Sequence, residues 1–381
     1  MDTISRAWRL PPGFPIFLAR GRGARVWDVD GREYVDLACS GGAAILGHHH
    51  PSVEAAVTRQ TRLGDGLGGP NEVMVALAER LVDRCIGADW AMFRSDAAAA
   101  LTACARIARI ATGRRSIAVA LGSAHVSRPA PPNVSGRVSR PELRFVYNDV
   151  TSLRGAADAA GNDLAAIVVT AFRHDDAVDH EMPKPSFVQA ARSLCDGAGA
   201  VLILDEEKGG LRLHPSGSWS RLGVRPDLSV LGRVIANGRA LAAVTGAEPL
   251  RDAAASVLAT APWPHAATPM AAAVATLDEL DTGMITDMEA LGAYFRGGLT
   301  ALARLHSVAL RQSGPMHMPL LRFDDDSDLS KIGAFCVGAA RAGAYIHPCR
   351  TMFLSCAHAE PDIDRALDAA AAGMKLVKAI S

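Results

Sequence analysis

The sequence lacks an excess of charge of either sign. Its 40 lysines and arginines balance 40 aspartates and glutamates, so the formal net charge is zero. A neutral balance gives no long-range field that favours nucleic acid or anionic membrane. No segment approaches the roughly 20 apolar residues of a membrane span, and residues 1–14 have no apolar core like that of a signal peptide. We therefore expect a cytoplasmic protein that binds neither nucleic acid nor membrane.

Paired cysteines are also lacking. The chain has seven cysteines without a CxxC pair, at positions 39, 85, 104, 195, 336, 349 and 356. An odd, scattered set indicates reduced thiols rather than a disulfide framework. The stretch "GHHHP" (47–51) has three consecutive histidines, but adjacent residues on an irregular segment seldom converge on one ion. We predict no metal site.

What is present is an alternation of short apolar runs with amphipathic segments. Residues 24–37 alternate around Asp30-Gly31, which indicates a hairpin. The predicted strands that follow are 115–120, 142–147, 165–170, 200–205, 228–232 and 241–246, with predicted helices at 50–64, 96–112, 149–161 and 186–199. Nearly continuous apolar strands are typical of a sheet that is covered on both faces. We predict an α/β fold with a mainly parallel sheet between helices.

The two ends of the chain differ from the middle. Helices dominate 270–305, the runs "MPLLRF", "AYIHP" and "TMFLSCAH" suggest short strands, and 361–378 suggests a closing helix. We predict a large α/β domain over 50–280 and a small α+β domain built from 1–49 with 281–381.

Several stretches together resemble a known family over nearly the whole chain. They are "GARVWDVDGREYVDL" and "ILGHHHP" at the front, "GAVLILDEEKGGLRL", "RPDLSVLGRVIANG" and "LAAVTG" in the middle, and "YIHPCRTMFLSCAHAEPDIDRAL" at the back. In this order they resemble the class III aminotransferases, which are pyridoxal-phosphate enzymes of fold type I, and within them the glutamate-1-semialdehyde aminomutase-like group. The resemblance implies the fold type I architecture and a homodimer, since these active sites form at a dimer interface.

The resemblance also implies a set of site residues. Family members use a lysine that forms a Schiff base, a carboxylate at the pyridine nitrogen, a glycine-rich helix N-terminus that binds the phosphate, a threonine of the partner subunit, and two side chains that sandwich the ring. Asp205, at the end of "VLILD", matches the carboxylate.

The other positions depart from the family pattern. Arg233 stands in the lysine's place, and a guanidinium stays protonated, so it cannot act as a Schiff-base amine. Lys208 is a candidate replacement. The phosphate-binding run has become "SDAAAA" (95–100), in which the Asp96 carboxylate is a good N-cap. The remaining departures are Ala97, Ala124, Glu207 and Pro264.

From these departures we expect weak or absent pyridoxal-phosphate binding. The expected function is a cofactor-independent cyclase, dehydratase, isomerase or condensing enzyme that acts on a small molecule in natural-product biosynthesis. The expected catalytic residues are Arg233, Glu207, His125, Asp205 and Lys208, and the expected substrate-binding residues are Asp96, Glu206 and His265. Clustered ionisable groups in a cleft can support acid–base chemistry.

Three alternatives stay open. The charged residues can form an internal ion-pair network, in which Arg233 pairs with Asp205 or Glu207. The chain can be a non-catalytic partner or scaffold that forms a heterodimer with an active paralogue. It can also be an aminotransferase-like enzyme that holds pyridoxal or pyridoxamine phosphate without a covalent bond.

Overall fold

The computed structural model describes residues 10–121, 143–259, 266–348 and 350–380. The chain divides into two compact units. Unit 1 comprises Met1–Glu54, Asp176–Glu181 and Leu280–Ser381, and unit 2 comprises Ala55–Asp175 and Met182–Glu279. The predicted domains are 50–280 and 1–49 with 281–381. Whether either of them folds as an independent domain stays a prediction. The assignment of 176–181 to unit 1 has no signal in the sequence.

The elements are numbered in chain order over the described residues. The strands are β1 (Leu18–Arg22), β2 (Arg25–Asp28), β3 (Glu33–Asp36), β4 (Trp90–Arg94), β5 (Ser116–Ala120), β6 (Leu143–Phe145), β7 (Leu164–Thr170), β8 (Val201–Glu206), β9 (Leu228–Leu231), β10 (Ala242–Gly246), β11 (Leu310–Ser313), β12 (Leu320–Phe323) and β13 (Ala344–Tyr345). The helices are α1 (Pro51–Leu63), α2 (Glu72–Arg84), α3 (Ala97–Thr112), α4 (Val150–Ala160), α5 (Pro185–Ala198), α6 (Arg251–Ala259), α7 (Ala267–Glu279), α8 (Thr282–His306), α9 (Ser330–Arg341) and α10 (Glu360–Ile380).

Unit 2 is built on a seven-stranded sheet in the order β4-β10-β9-β8-β7-β5-β6. Strands β6, β5, β7, β8 and β9 run parallel, and β10 is antiparallel to both β9 and β4. Every residue of β5, β7 and β8 is buried, as expected for a parallel sheet with helices on both faces. The predicted α/β class with a mainly parallel sheet is confirmed.

Helix α3 shows how the sequence fixes an element beside this sheet. Its N-cap is Asp96, and it ends at Gly113, whose φ of +67° gives the left-handed conformation that terminates helices. Its alanine-rich inward face includes Ala100, Cys104 and Ile107, which have no exposed surface. Small side chains let the helix lie close to the strands.

Parallel pairing places the candidate site. Asp205 of β8 is in register with Val230 of β9, and Glu206 with Leu231. The carboxyl ends of the two strands therefore meet at one edge of the sheet. The segment that follows β8 and the segment that follows β9 both begin there.

Unit 1 contains a four-stranded sheet, β1-β2-β3-β13, and a two-stranded sheet, β11-β12. The hairpin predicted around Asp30-Gly31 is present as β2 and β3, with Gly31 at a φ of +82°. The strand expected in "TMFLSCAH" is not formed. Met352, Phe353 and Leu354 donate in turn to Pro319, Leu37 and His317, so these buried residues bond alternately to two different segments instead of one strand. No described helix combines the length and the apolarity needed to span a bilayer.

Candidate active site

Asp205 lies at the carboxyl end of β8 and is 1% exposed. Its Oδ1 accepts a hydrogen bond from the backbone N–H of Glu207 at 3.0 Å. Cys104 of α3 lies close by: burial raises the pKa of the Cys104 thiol, and the negative charge of Asp205 raises it further. The sheet and α3 thus enclose a carboxylate at the strand end.

A tight turn follows β8. The Gly210 N–H donates to the Glu206 carbonyl oxygen at 2.8 Å. A Cβ on Gly209 would lie 2.7 Å from the Ala171 Cβ, and one on Gly210 would lie 2.6 Å from the Glu206 carbonyl oxygen, so both positions require glycine. The close packing fixes the backbone on either side of Lys208.

Lys208 is buried in this turn. It is 6% exposed, and its Nζ donates to the backbone carbonyl of His174 at 3.1 Å. His174 lies beyond the end of β7, the neighbour of β8 in the sheet. A primary amine is therefore held three residues from the Asp205 carboxylate, at the same end of the sheet.

Arg233 follows β9 and pairs with the residue before Lys208. Its Nε donates to Glu207 Oε1 at 2.9 Å, and the two side chains are 32% and 9% exposed. Arg233 has a φ of +36°, a left-handed conformation that costs a bulky residue about 1–3 kcal/mol. The sequence left Asp205 or Glu207 open as the partner, and the structure places the Nε contact on Glu207.

Asp96 caps α3 next to this turn. Its Oδ1 accepts from the Ala99 N–H at 2.8 Å, and its Oδ2 accepts from the Ser95 hydroxyl at 3.0 Å. A Cβ built on Gly232 would lie 3.4 Å from the Ala97 Cβ and 3.1 Å from Glu207 Cγ. The capped end of α3 therefore packs against the segment that carries Arg233. The N-cap interpretation of Asp96 is confirmed.

Glu206 faces a different group. Its carboxylate accepts from the backbone N–H of Ser218, at 3.0 Å for Oε1 and 3.2 Å for Oε2. Burial raises the pKa of Glu206 to about 7, although the hydrogen bonds from Ser218 act in the opposite direction. Adjacent residues of a strand point to opposite faces, so Asp205 and Glu206 diverge.

The structure thus brings together four of the predicted catalytic residues, namely Asp205, Glu207, Lys208 and Arg233. Of the predicted substrate-binding residues, Asp96 lies at the neighbouring helix end, whereas Glu206 bonds to Ser218. The remaining predicted positions, His125, Ala124, Pro264 and His265, lie outside the described residues. Within the described ranges, no group of three His, Cys, Asp or Glu residues is placed to hold a metal ion.

Sequence reasoning missed three neighbours of the site. His174 contributes a backbone carbonyl, for which no side-chain pattern exists. Cys104 is recognisable only from its helical position facing the sheet. Arg94, at the end of β4, is 8% exposed, and burial lowers the pKa of its guanidinium. Arg94 could have been identified from the sequence, because it is a charged residue at the end of an apolar run and lies just before the N-cap Asp96.

Several known proteins are similar to this chain over nearly its whole length. An aminopentol aminotransferase of Sphingopyxis macrogoltabida is 38% identical over 365 residues, covering 94% of this chain and 86% of the relative. A glutamate-1-semialdehyde 2,1-aminomutase of Sorangium cellulosum (strain So ce56) is 34% identical, with 97% and 91% covered. The FumI protein of Sphingopyxis sp. MTA144, solved in its pyridoxal-phosphate internal aldimine form, aligns with a TM-score of 0.91 at 37% identity, with 98% and 95% covered.

These relatives correct three expectations. The predictions that pyridoxal-phosphate binding is weak or absent, that the catalytic lysine is missing, and that the chain is a cofactor-independent cyclase, dehydratase, isomerase or condensing enzyme are contradicted. These predictions failed because they treated each departure from the family's residue at a given position as a loss of cofactor binding. Asp205 and Lys208, a carboxylate and an amine, are nevertheless both buried, the first in β8 and the second in the turn that follows it.

The described residues fit two parts of pyridoxal phosphate. Asp205 offers a buried carboxylate, a group that can hold a pyridine nitrogen protonated. Lys208 offers a buried primary amine, a group that can condense with an aldehyde. The third part is the phosphate, which the family binds at the N-terminus corresponding to α3. Here the Asp96 carboxylate already accepts a hydrogen bond from a helix N–H at that end, so this part fits less well.

The family model for class III aminotransferases matches residues 9–125 and 123–359. This match spans most of the chain, and the similar proteins cover more than nine tenths of it. The chain belongs to the class III aminotransferase family.

Proposed function

We propose that this chain is a pyridoxal-phosphate-dependent aminotransferase that acts on a small molecule bearing a primary amine. The observation that carries the proposal is the buried Asp205 carboxylate at the end of β8, in a chain 38% identical to an aminopentol aminotransferase. That relative's name supports an amine as the substrate class.

In this proposal each residue of the site has a defined task. When bound, pyridoxal phosphate supplies a ring that accepts electrons from the amine-bearing carbon. Asp205 binds the ring nitrogen and keeps it protonated, because a buried carboxylate stabilises a nearby positive charge. Glu207 holds the Arg233 guanidinium in one orientation through the Nε hydrogen bond.

The proposal extends to assembly and location. Class III aminotransferases are typically homodimers, and we expect a homodimer here, located in the cytoplasm. Light scattering of the purified protein distinguishes a dimer from a monomer. A stable monomer that is fully active would exclude the dimeric arrangement.

The central test is cofactor binding, compared between wild type and Asp205→Asn. Wild type should bind pyridoxal phosphate, retain it through dialysis, and exchange the amino group between an amine and a keto acid. The Asp205→Asn variant keeps the shape of the side chain but loses its charge, so amino-group exchange should fall by at least about a hundredfold, or about 2.7 kcal/mol.

Asp158→Asn is the matched control, since Asp158 lies exposed on α4 and should behave as wild type. A wild-type protein that does not bind pyridoxal phosphate would overturn the proposal. So would an Asp205→Asn variant with unchanged exchange activity.

A further inference from the structure

We propose that Lys208, rather than a residue at position 233, is the amine to which this protein attaches its cofactor covalently. The inference rests on the proposed function, because it assumes that pyridoxal phosphate binds. It assigns a catalytic residue at a position different from the one that the sequence pattern of the family indicates.

The lysine content of the chain limits the choice. The full sequence has five lysines, at positions 184, 208, 331, 375 and 378, and the structure describes all five. Lys184, Lys375 and Lys378 are exposed. Lys331 is partly buried in unit 1, where its Nζ donates to the Asp324 carbonyl at 2.9 Å. Lys208 is therefore the only buried lysine of the chain.

Lys208 lies at the same end of the sheet as Asp205, in the turn that follows β8. Lys208 follows Asp205 by three positions in the chain, just past the carboxyl end of β8. The Gly210 N–H donates to the Glu206 carbonyl oxygen at 2.8 Å and closes the turn that contains Lys208, and the turn is packed so tightly that a Cβ on Gly209 would lie 2.7 Å from the Ala171 Cβ. Ligands of open α/β sheets bind outside the carboxyl ends of the strands, which is where this turn lies.

Position 233 is already committed to another interaction. The Arg233 guanidinium stays protonated at physiological pH, and its Nε is bonded to Glu207 at 2.9 Å. Glu207 directly precedes Lys208 in the chain. The Arg233–Glu207 pair therefore holds the backbone beside Lys208 in place and leaves the attachment step to the lysine.

The step is a condensation. The neutral Lys208 amine attacks an aldehyde carbon, a carbon–nitrogen double bond forms, and the carbonyl oxygen leaves as water with the two amine protons. No oxidant or reductant takes part. Before this step, the Lys208 Nζ must exchange its hydrogen bond with the His174 carbonyl for the new bond.

The test is chemical mapping. Purified wild-type protein is incubated with pyridoxal phosphate, reduced with borohydride, digested and analysed by mass spectrometry. We expect the reduced cofactor on the peptide that contains Lys208. Attachment to another lysine, or cofactor binding without any covalent attachment, would refute the assignment while leaving the proposed function intact. Absence of any cofactor binding would refute both.

Variants separate attachment from folding. Lys208→Gln and Lys208→Arg should lose the covalent label, and Lys208→Arg keeps a donor for the His174 carbonyl. Lys184→Gln is the matched control and should keep the label, because Lys184 is exposed. Circular dichroism confirms folding. If a folded Lys208→Arg variant carries as much covalent label as wild type, Lys208 is not the attachment residue.

Discussion

Arg233 Nε lies 2.9 Å from Glu207 Oε1, so the arginine that stands in place of the family's lysine is paired with a buried carboxylate. Twenty-six residues separate the two along the chain. They meet because β8 and β9 run parallel and end at the same edge of the sheet.

The first prediction concerns the stability of this pair. Arg233→Met should lower the free energy of unfolding by about 1–3 kcal/mol, because it leaves the buried Glu207 carboxylate without its Nε donor. Glu207→Gln should cost less, since the amide oxygen can still accept from Arg233. Urea unfolding measures both effects. Arg221→Ala, at an exposed position, serves as the control, and equal stability of Arg233→Met and wild type would show that the pair contributes nothing.

The second prediction concerns the Asp96 cap. Asp96→Ser keeps a side chain that can accept from the Ala99 N–H and removes a negative charge that repels a phosphate dianion. Affinity for pyridoxal phosphate should rise by about tenfold, since one such repulsion near the protein surface is worth about 1–4 kcal/mol.

A fluorescence titration measures this affinity, and pyridoxal, which has no phosphate, is the control ligand. An equal gain in affinity for pyridoxal would indicate that Asp96 acts through something other than phosphate repulsion.

The third prediction is a pH dependence of stability. Burial raises the pKa of Glu206 from its ordinary 4.5 to about 7 in the folded protein. The folded state therefore holds this proton more tightly than the unfolded chain. The resulting stabilisation is complete below the ordinary pKa and is lost as the pH rises through about 7, by about 3 kcal/mol in total.

Denaturant unfolding at several pH values tests this dependence. Glu206→Gln keeps an acceptor for the Ser218 N–H but cannot ionise, so its stability should fall less with rising pH than that of wild type. Glu79→Gln, at an exposed position of α2, should follow wild type. Parallel pH profiles for wild type and Glu206→Gln would contradict the pKa assignment.

The fourth prediction concerns thiol reactivity. Cys104 has no exposed surface, and burial raises the pKa of its thiol, with Asp205 adding to the effect. Because the thiolate is the reactive form, Cys104 should resist alkylation in the native protein and react after unfolding. Mass spectrometry of alkylated peptides measures this, with the partly exposed Cys356 as the internal reference. Labelling of native Cys104 as fast as Cys356 would contradict the buried placement.

The fold was largely predictable because its signals are local. The run 165–170 became β7 (Leu164–Thr170), and 200–205 became β8 (Val201–Glu206), since strands buried on both faces need continuous apolar residues. Residues 351–358 show the limit of this signal. They are mostly buried but bond to several segments, and the apolar pattern alone cannot distinguish such a segment from a strand.

The site was predictable only in part. Asp96 as N-cap and Asp205 at a strand end follow from neighbours within a few residues. The choice of Glu207 as the Arg233 partner, and the turning of Glu206 toward Ser218, depend on residues far along the chain. The expected loss of the cofactor was inferred position by position from departures at single residues, and the similarity of nearly the whole chain to aminotransferases contradicts it.

The sequence by itself determined the buried parallel strands, the helix cap and the chemistry of position 233, where a guanidinium cannot serve as an amine. These depend on periodicity, local hydrogen bonding and intrinsic side-chain chemistry. Only the tertiary structure decided that Lys208 is buried against the His174 carbonyl and that Arg233 meets Glu207. The reason is that parallel strands from distant parts of the chain end at one edge of the sheet, and this common edge brings the charges together.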